Sequence, residues 1–303
     1  MDWQDFSSSI NQALSQKDLA SIHILSAHAI RGGDSHQAYQ LHTPEKNYFL
    51  KLSPEHNHLM LETEMHNLNA LSQSQTLTCP LALASGIYNE QAWLLMEFIP
   101  LTDQGDDFQR GRSLAFMHHH INHDSQPFGW FEDNFIGQNR QSNPWSFSWT
   151  EFYGQQRLGP QLELSQLRGA PSSLYQSGLE LIELLPFWFQ NYQPEASLLH
   201  GDLWGGNSAF DPTGEPIFFD PACYYGDRET DMAMTELFGG FSPAFYKGYD
   251  SLFPLDKGYP QRKNLYNLYH ILNHFNLFGG HYAEQAENSI QQLIQQAKTP
   301  QAT

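Results

Sequence analysis

The stretch Leu198-Leu199-His200-Gly201-Asp202-Leu203-Trp204-Gly205-Gly206-Asn207, with Phe218-Phe219-Asp220-Pro221 downstream, constrains this chain of 303 residues more than any other feature. Asp202 and Asn207 stand five positions apart, and Asp220 follows Asn207 by 13. Between them, Asp211-Pro212-Thr213-Gly214 has turn chemistry and is flanked by strand-like Ser208-Ala209-Phe210 and Ile217-Phe218-Phe219, so a short hairpin can bring Asn207 and Asp220 to one ion. The spacing is that of a kinase catalytic loop. There a carboxylate accepts the proton of the attacking hydroxyl, while an amide oxygen and a second carboxylate hold magnesium on the nucleotide phosphates. Asp202 is then the catalytic base, and Asn207 and Asp220 are the metal ligands.

Two departures indicate the acceptor class. Protein kinases place Arg immediately before the base, where it helps to read a phosphorylated activation loop. This chain has Gly201 there, and Asp220 is followed within 11 residues by Asp231 and the apolar Met232-Ala233-Met234. That leaves no room for a peptide-docking activation segment. The expected acceptor is a small molecule, and activity should not wait on phosphorylation.

The upstream half supplies the remaining parts in order. Ile30-Arg31-Gly32-Gly33-Asp34 is a glycine turn between strand-like segments, and Gly32 and Gly33 would let backbone N–H groups approach phosphate; a plain hairpin turn has the same composition. Thr43-Pro44-Glu45-Lys46-Asn47 turns into Tyr48-Phe49-Leu50-Lys51-Leu52, placing Lys51 on a strand as the phosphate partner. Glu64 lies in a helical stretch with apolar Leu61, Met65, Leu68 and Leu71, and is the chosen partner of Lys51; Glu62, on a different helix face, is the rival. Ala92 to Pro100 reads as a buried strand ending at a proline, with Met96, Glu97, Phe98 and Ile99 as the hinge whose backbone would meet adenine.

Composition narrows the field further. A content of 40% hydrophobic and 14% aromatic residues is that of a globular chain long enough for two cores. The 33 acidic against 15 basic residues, a formal charge of −18, argue against a nucleic-acid or anionic-membrane partner. An anionic nucleotide must therefore be compensated locally by magnesium, Lys51 and backbone donors. Cys79 and Cys223 have no metal-type spacing, and neither a signal peptide nor a membrane span is visible, so a cytoplasmic setting is expected.

The expected fold is α+β and bilobal, of the protein-kinase type. Residues 1–97 form a nucleotide-binding lobe with an antiparallel sheet and one key helix, and residues 98–303 a larger, mainly helical catalytic and acceptor-binding lobe. Helices are expected around Leu114, Met117, His118 and Ile121, and from Leu174 to Phe189. A C-terminal pair is separated by Gly279-Gly280, with Leu265, Leu268, Leu272 and Phe275 striping one member and Ala286, Ile290, Leu293 and Ala297 the other. His118-His119-His120 with His123 invites a zinc reading, but no clustered carboxylate or Cys completes a site. The aromatic group Trp145, Phe147, Trp149, Phe152 and Tyr153 is read as packing between helices. Trp204, two residues after the base, either covers the acceptor or packs in the core.

Several segments together resemble the fructosamine kinase, or ketosamine kinase, family within the aminoglycoside-phosphotransferase-like kinases. They are Ile30 to Asp34, Asp133-Asn134-Phe135-Ile136-Gly137, Glu151 to Leu162, His200 to Asn207, Phe219 to Asp231, and Asn273 to Gly280. The resemblance implies ATP- and Mg2+-dependent phosphorylation of the sugar 3-hydroxyl of ketosamines such as fructosamines and ribulosamines, free or protein-bound. The phosphorylated adduct then releases the amine, which is deglycation. Some relatives carry a redox-active Cys in the phosphate loop; Asp34 occupies that position, so thiol control is not carried over. Three other readings compete: a kinase of the same fold acting on an aminoglycoside, choline or methylthioribose-like acceptor, a nucleotide-binding pseudokinase without turnover, and an interaction module using its acidic surface. The presence of Lys51, Glu64, Asp202, Asn207 and Asp220 counts against the second.

Overall fold

The computed structural model describes residues 3–30 and 36–299. In chain order its first elements are α1 (Trp3–Ser15), β1 (Ser26–Ile30), β2 (Gln37–His42), β3 (Asn47–Pro54), α2 (His58–Ser74), β4 (Ala82–Tyr88) and β5 (Gln91–Glu97). Then come α3 (Asp107–His118), β6 (Asn134–Ile136), β7 (Asn139–Gln141), α4 (Trp149–Phe152), a π-helical stretch Tyr153–Leu158, α5 (Gly159–Leu167) and α6 (Ser172–Leu184). The remainder is β8 (Ser197–Leu199), β9 (Ser208–Phe210), β10 (Pro216–Phe218), β11 (Tyr224–Gly226), α7 (Glu229–Leu237), α8 (Pro243–Asp250), α9 (Tyr259–Phe278) and α10 (Tyr282–Lys298).

By packing, the chain forms two compact units. The first runs to Asp106 and takes in Asn207–Pro221; the second comprises Asp107–Gly206 and the chain from Ala222 onward. In the first, five antiparallel strands lie in the order β1-β2-β3-β5-β4. Period-two alternation along β3 gives each face its task. Tyr48, Leu50 and Leu52 join Phe6, Ile10 and Leu14 of α1 and Trp93 and Leu95 of β5 in one buried cluster. Lys51 consequently leaves from the other face. Phe6 meets Tyr88 and Trp93 edge-on at ring separations of 5.3 and 6.0 Å, and truncating such a ring to Ala costs about 3–5 kcal/mol. On α2 the stripe Leu61, Met65, Leu68 and Leu71 is buried, so the helix is fixed by its apolar face and Glu64 is carried with it.

The β9–β10 hairpin closes over an Asp211 side chain that accepts from Thr213 N at 2.8 Å and Glu215 N at 3.0 Å. Its backbone is stitched into the first unit. Thr102 and Phe210 exchange N–H···O bonds at 2.8 and 2.9 Å, and Phe218 N donates to Thr78 O at 2.9 Å. The expected boundary at Glu97 placed both this hairpin and residues 98–106 in the second domain. Long-range backbone pairing, which residue spacing does not reveal, decides otherwise.

In the second unit β8 pairs antiparallel with β11, and β6 with β7. Helix α3 stops at His118 instead of reaching Ile121, which forms an isolated bridge with Ser197. The stretch expected to be helical to Phe189 tightens into a 3-10 turn from Leu185, where Pro186 cannot continue the α ladder. The C-terminal pair forms: Leu265, Leu268, Leu272 and Phe275 of α9 are buried, as are Ala286, Ile290 and Leu293 of α10, while Ala297, at the helix end, is only half-buried. No helix among the described residues is long and apolar enough to cross a membrane.

Candidate active site

In the first unit the expected ion pair is formed. Lys51 Nζ lies 2.6 Å from Glu64 Oε1 and 2.5 Å from Asp220 Oδ1, with only 9% of the lysine exposed. Between the rival acids the geometry chooses Glu64; Glu62 instead bears on Lys17. Burial alone would lower the pKa of Lys51, but Asp220 and then Glu64 against its ammonium carry it above the usual value. Glu64 is pushed up to about 7, by burial first and by the charge of Asp220, against the pull of Lys51. One ammonium thus serves two carboxylates, and Lys51 stays charged.

The hairpin register brings the two proposed metal ligands together along the chain. Ser208 pairs with Phe218, and Phe219 N donates to Asn207 O at 3.1 Å, so Asp220 begins one residue beyond the partner of Asn207. Asp220 sits at φ +55°, in the left-handed region that costs a non-glycine residue about 1–2 kcal/mol. Asn67 Nδ2 holds the next residue by donating to Pro221 O at 3.2 Å. Asn207 is buried, whereas 47% of the Asp220 side chain is exposed. The hinge candidates divide at the strand end: Met96 and Glu97 pair with Phe49 and Tyr48 on β5, and Phe98 and Ile99 follow it half-buried. Gly32 and Gly33, with Asp34, lie outside the described residues. Sequence reasoning missed His36. Its Nδ1 is buried without a hydrogen-bond partner among the described residues, and burial, then the charge of Lys51, lowers its pKa to about 4 against the pull of Asp220.

In the second unit Asp202 rides on a loop gripped from below by Asp231. Asp231 Oδ2 accepts from His200 N at 2.7 Å and from His118 Nε2 at 3.1 Å, and its Oδ1 accepts from Gly201 N at 2.9 Å. Burial would raise the Asp231 carboxyl, but the His118 hydrogen bond, the charges of His118 and His200 and the Gly201 N–H together outweigh it and hold it below the usual range. The pKa of His118 is itself lowered, by burial against the pull of Asp231; Tyr249 Oη lies 2.7 Å from its Nδ1, which leaves Nε2–H to face Asp231. Arg228 Nη1 in turn donates to Tyr249 Oη at 2.9 Å. This explains part of the histidine run: His118 anchors the loop, His119 stacks on Phe253 at 3.9 Å and His120 on Tyr225 at 6.2 Å. Among the described residues no group of three or more His, Cys, Asp or Glu is placed to hold a metal.

Gly201, read from sequence only as a missing Arg, has a structural cause. Its φ is +82°, and a Cβ there would lie 2.0 Å from Ala222 O. Asp202 N donates to His200 Nδ1 at 3.3 Å, which ties Asp202 to its own loop. Trp204 is 41% exposed, and its indole lies across Gly206, where a Cβ would come within 2.3 Å of the ring. It is therefore not packed in the core. Trp149, Phe152 and Tyr153, by contrast, are buried as expected, while Phe147 is exposed and Trp145 partly so.

The chemistry available is an ammonium fixed between carboxylates, a carboxylate and an amide on one hairpin, and a carboxylate on a rigidly held loop. The family profile described as fructosamine kinase matches residues 6–296. The chain is 39% identical over 295 residues to a probable ketoamine kinase of Vibrio vulnificus, covering 96% of this chain and 99% of that one. It is 38% identical over 272 residues to a chloroplastic protein-ribulosamine 3-kinase of Arabidopsis thaliana, covering 89% and 83% of the two chains. A crystal structure from Haemophilus somnus, assigned as a fructosamine-3-kinase, superposes with a TM-score of 0.83 at 26% identity, over 94% of this chain and 96% of that one. The aminoglycoside phosphotransferase APH(4)-Ia shares the fold, with a TM-score of 0.59 at 12% identity over 98% of this chain and all of its own. The α+β architecture is thus that of the protein-kinase-like phosphotransferases, and the chain belongs to the fructosamine kinase family.

Proposed function

We propose that this protein is an ATP-dependent ketosamine kinase, phosphorylating the sugar 3-hydroxyl of a fructosamine- or ribulosamine-type adduct. The observation that carries this reading is the Lys51 ammonium held between Glu64 and Asp220 in a chain whose relatives are named ketoamine and ribulosamine kinases. Lys51, oriented by Glu64, binds the nucleotide phosphates. The backbone of Met96 to Ile99 receives adenine. Asn207 and Asp220 fit magnesium: both offer hard oxygen, and two protein ligands completed by phosphate oxygens and water suit an ion that dehydrates reluctantly. Bound there, magnesium would neutralise charge on the transferred phosphoryl group. Asp202 accepts the proton of the acceptor hydroxyl, and its loop is stiff enough to present one oxygen repeatedly to the same place. Trp204 offers an exposed indole face to the acceptor sugar or its amine.

A phosphate at C3 of a ketosamine makes a good leaving group once a proton is lost from C1. Inorganic phosphate departs, water adds to the resulting imine, and the amine is freed, so phosphorylation leads to deglycation. A cytoplasmic setting belongs to the same proposal, in keeping with two buried cysteines and no disulfide among the described residues. The reading is tested by ATP consumption across a panel of ketosamines, aminoglycosides and choline. Stimulation by fructoselysine or ribuloselysine alone is expected. Stimulation by an aminoglycoside or choline with every ketosamine inert would leave a kinase but overturn its substrate; no turnover with intact nucleotide binding would make it a pseudokinase.

A further inference from the structure

The segments around Asp133 to Gly137 and Glu151 to Leu162 contain none of the proposed reacting groups. They converge on a chain of buried side chains. Arg157, fully buried on the π-helical stretch, lies 3.9 Å over the Tyr224 ring and donates from Nη2 to Asn143 Oδ1 at 2.7 Å. Asn143 Nδ2 donates to Asn134 Oδ1 at 3.0 Å, and Asn134 Nδ2 donates to Cys223 O at 2.8 Å. Gln141, on the strand opposite, donates from Nε2 to Asn134 Oδ1 at 2.8 Å and to Ala222 O at 3.1 Å, while Tyr269 Oη donates to its Oε1 at 2.7 Å. Asn134, Gln141 and Asn143 are each no more than 2% exposed.

The direction of every bond in this chain is set from both ends. A guanidinium can only donate, so Asn143 must turn its oxygen to Arg157 and its amide nitrogen to Asn134. A peptide carbonyl can only accept, so Asn134 and Gln141 must turn nitrogen toward Cys223 O and Ala222 O. Both requirements give the same orientation. The two carbonyls thus held belong to the segment that backs the catalytic loop: Ala222 N donates to His200 O at 2.8 Å, and Ala222 O fills the space where Gly201 would carry a side chain.

We infer that Arg157, Asn143, Asn134 and Gln141 are positioning residues for the base Asp202, acting through the Ala222–Cys223 backbone on Gly201. Asp202 is next in sequence to Gly201, and a displacement of about 1 Å at a base can cost on the order of 100-fold in rate. This rests on the assignment of Asp202 in the proposed function. The relay explains why amides stand at 134, 141 and 143: an acid of the same shape would face a carbonyl with an acceptor.

The test compares the isosteric changes Asn134→Asp and Gln141→Glu with Asn139→Asp. Asn139 belongs to the same hairpin and is also buried, but its amide bonds to Asn273 Oδ1 at 2.8 Å and not to the Ala222–Cys223 backbone. Ketosamine-dependent kcat, KM for ATP and hydrogen exchange of a peptide covering 198–207 are read for each. Asn134→Asp and Gln141→Glu should lose about 10- to 100-fold in kcat with KM for ATP within threefold, and the loop amides should exchange at least tenfold faster. Asn139→Asp should leave all three within threefold. The carboxyl introduced by Asn134→Asp can again donate to Cys223 O once it is protonated, so the deficit of that variant relative to wild type should shrink as pH falls from 8 to 6. Tyr269→Phe, which removes one hydroxyl, should fold whatever the others do and lose three- to tenfold in kcat. Wild-type loop exchange and kcat in the folded variants, or an equal loss in Asn139→Asp, would overturn the inference. If the wild-type protein proves inert toward ketosamines, the proposed substrate fails, and loop exchange still decides the positioning role.

Discussion

Replacing Gly201 by Ala adds one methyl group at the residue before Asp202, the proposed base, and its cost can be worked from the geometry. At φ +82° an L-residue costs about 1–2 kcal/mol relative to glycine. The added Cβ would stand 2.0 Å from Ala222 O, against an ordinary contact of 3.4 Å or more, so something must move by over an ångström. Ala222 cannot yield freely, being held by His200 O at 2.8 Å and by Gln141 at 3.1 Å; overpacking of this kind costs about 1–3 kcal/mol. Together these give about 2–5 kcal/mol of lost stability. The displaced loop carries Asp202, so kcat should fall about 100-fold. Gly205→Ala is the control in the same loop, since nothing lies within 4 Å of its added Cβ, and it should stay within about 0.5 kcal/mol of wild type. Urea unfolding and steady-state kinetics on both variants provide the comparison. A Gly201→Ala protein with stability within 1 kcal/mol and kcat within twofold would refute the steric argument.

Asp202→Asn should lower kcat by about 10³-fold while ADP affinity, read by calorimetry, stays within threefold, because the base meets the acceptor proton and not the nucleotide; near-wild-type turnover would remove it as the base. Asp220→Ala should depress MgATP binding and kcat together, with Asn207→Ala milder in the same direction; an unaltered magnesium titration in both would place the ion elsewhere. Trp204→Ala should raise KM for the ketosamine at least tenfold more than KM for ATP, and equal effects on both would return the indole to a structural role. His270, buried with its pKa pushed down to about 3, is neutral in the folded protein and titrates near 6.5 when unfolded. Between those values the unfolded state binds the extra proton, so wild-type stability loses this contribution as pH falls. Against His270→Gln, in which the other titrating groups are common to both proteins, the difference should move in the variant's favour by about 1.4 kcal/mol per pH unit from pH 6 to 4. Parallel stability curves would show that His270 is not held neutral.

What the sequence disclosed was what spacing and period can encode. Lys51 on its strand, Glu64 on its helix, the Asp211 turn and the C-terminal helix stripes follow from local chemistry and are where they were expected. The choice of Glu64 over Glu62 needed only the apolar face of α2 to set its rotation. Other features depend on residues far apart in the chain. His118 looked like part of a chance histidine run because its partners, Asp231 and Tyr249, are more than 100 positions away. The allegiance of the β9–β10 hairpin to the first unit rests on Thr78 and Thr102, neither of which carries any motif. Gly201 could be seen to differ from the protein-kinase pattern, but not that Ala222 O forbids a side chain there. Arg157 stands in the Glu151 to Leu162 segment with no partner that spacing could name. Only the folded chain shows it buried and fixing the direction of three amides.

Ketosamine phosphorylation is most directly tested by phosphorus NMR of the protein incubated with ATP, magnesium and fructoselysine. A new phosphomonoester resonance on C3 of the sugar is expected, with ADP in equal amount, and then inorganic phosphate and free lysine as the adduct decays. ATP left intact with fructoselysine and ribuloselysine, while an aminoglycoside or choline acquires the phosphate, would contradict it.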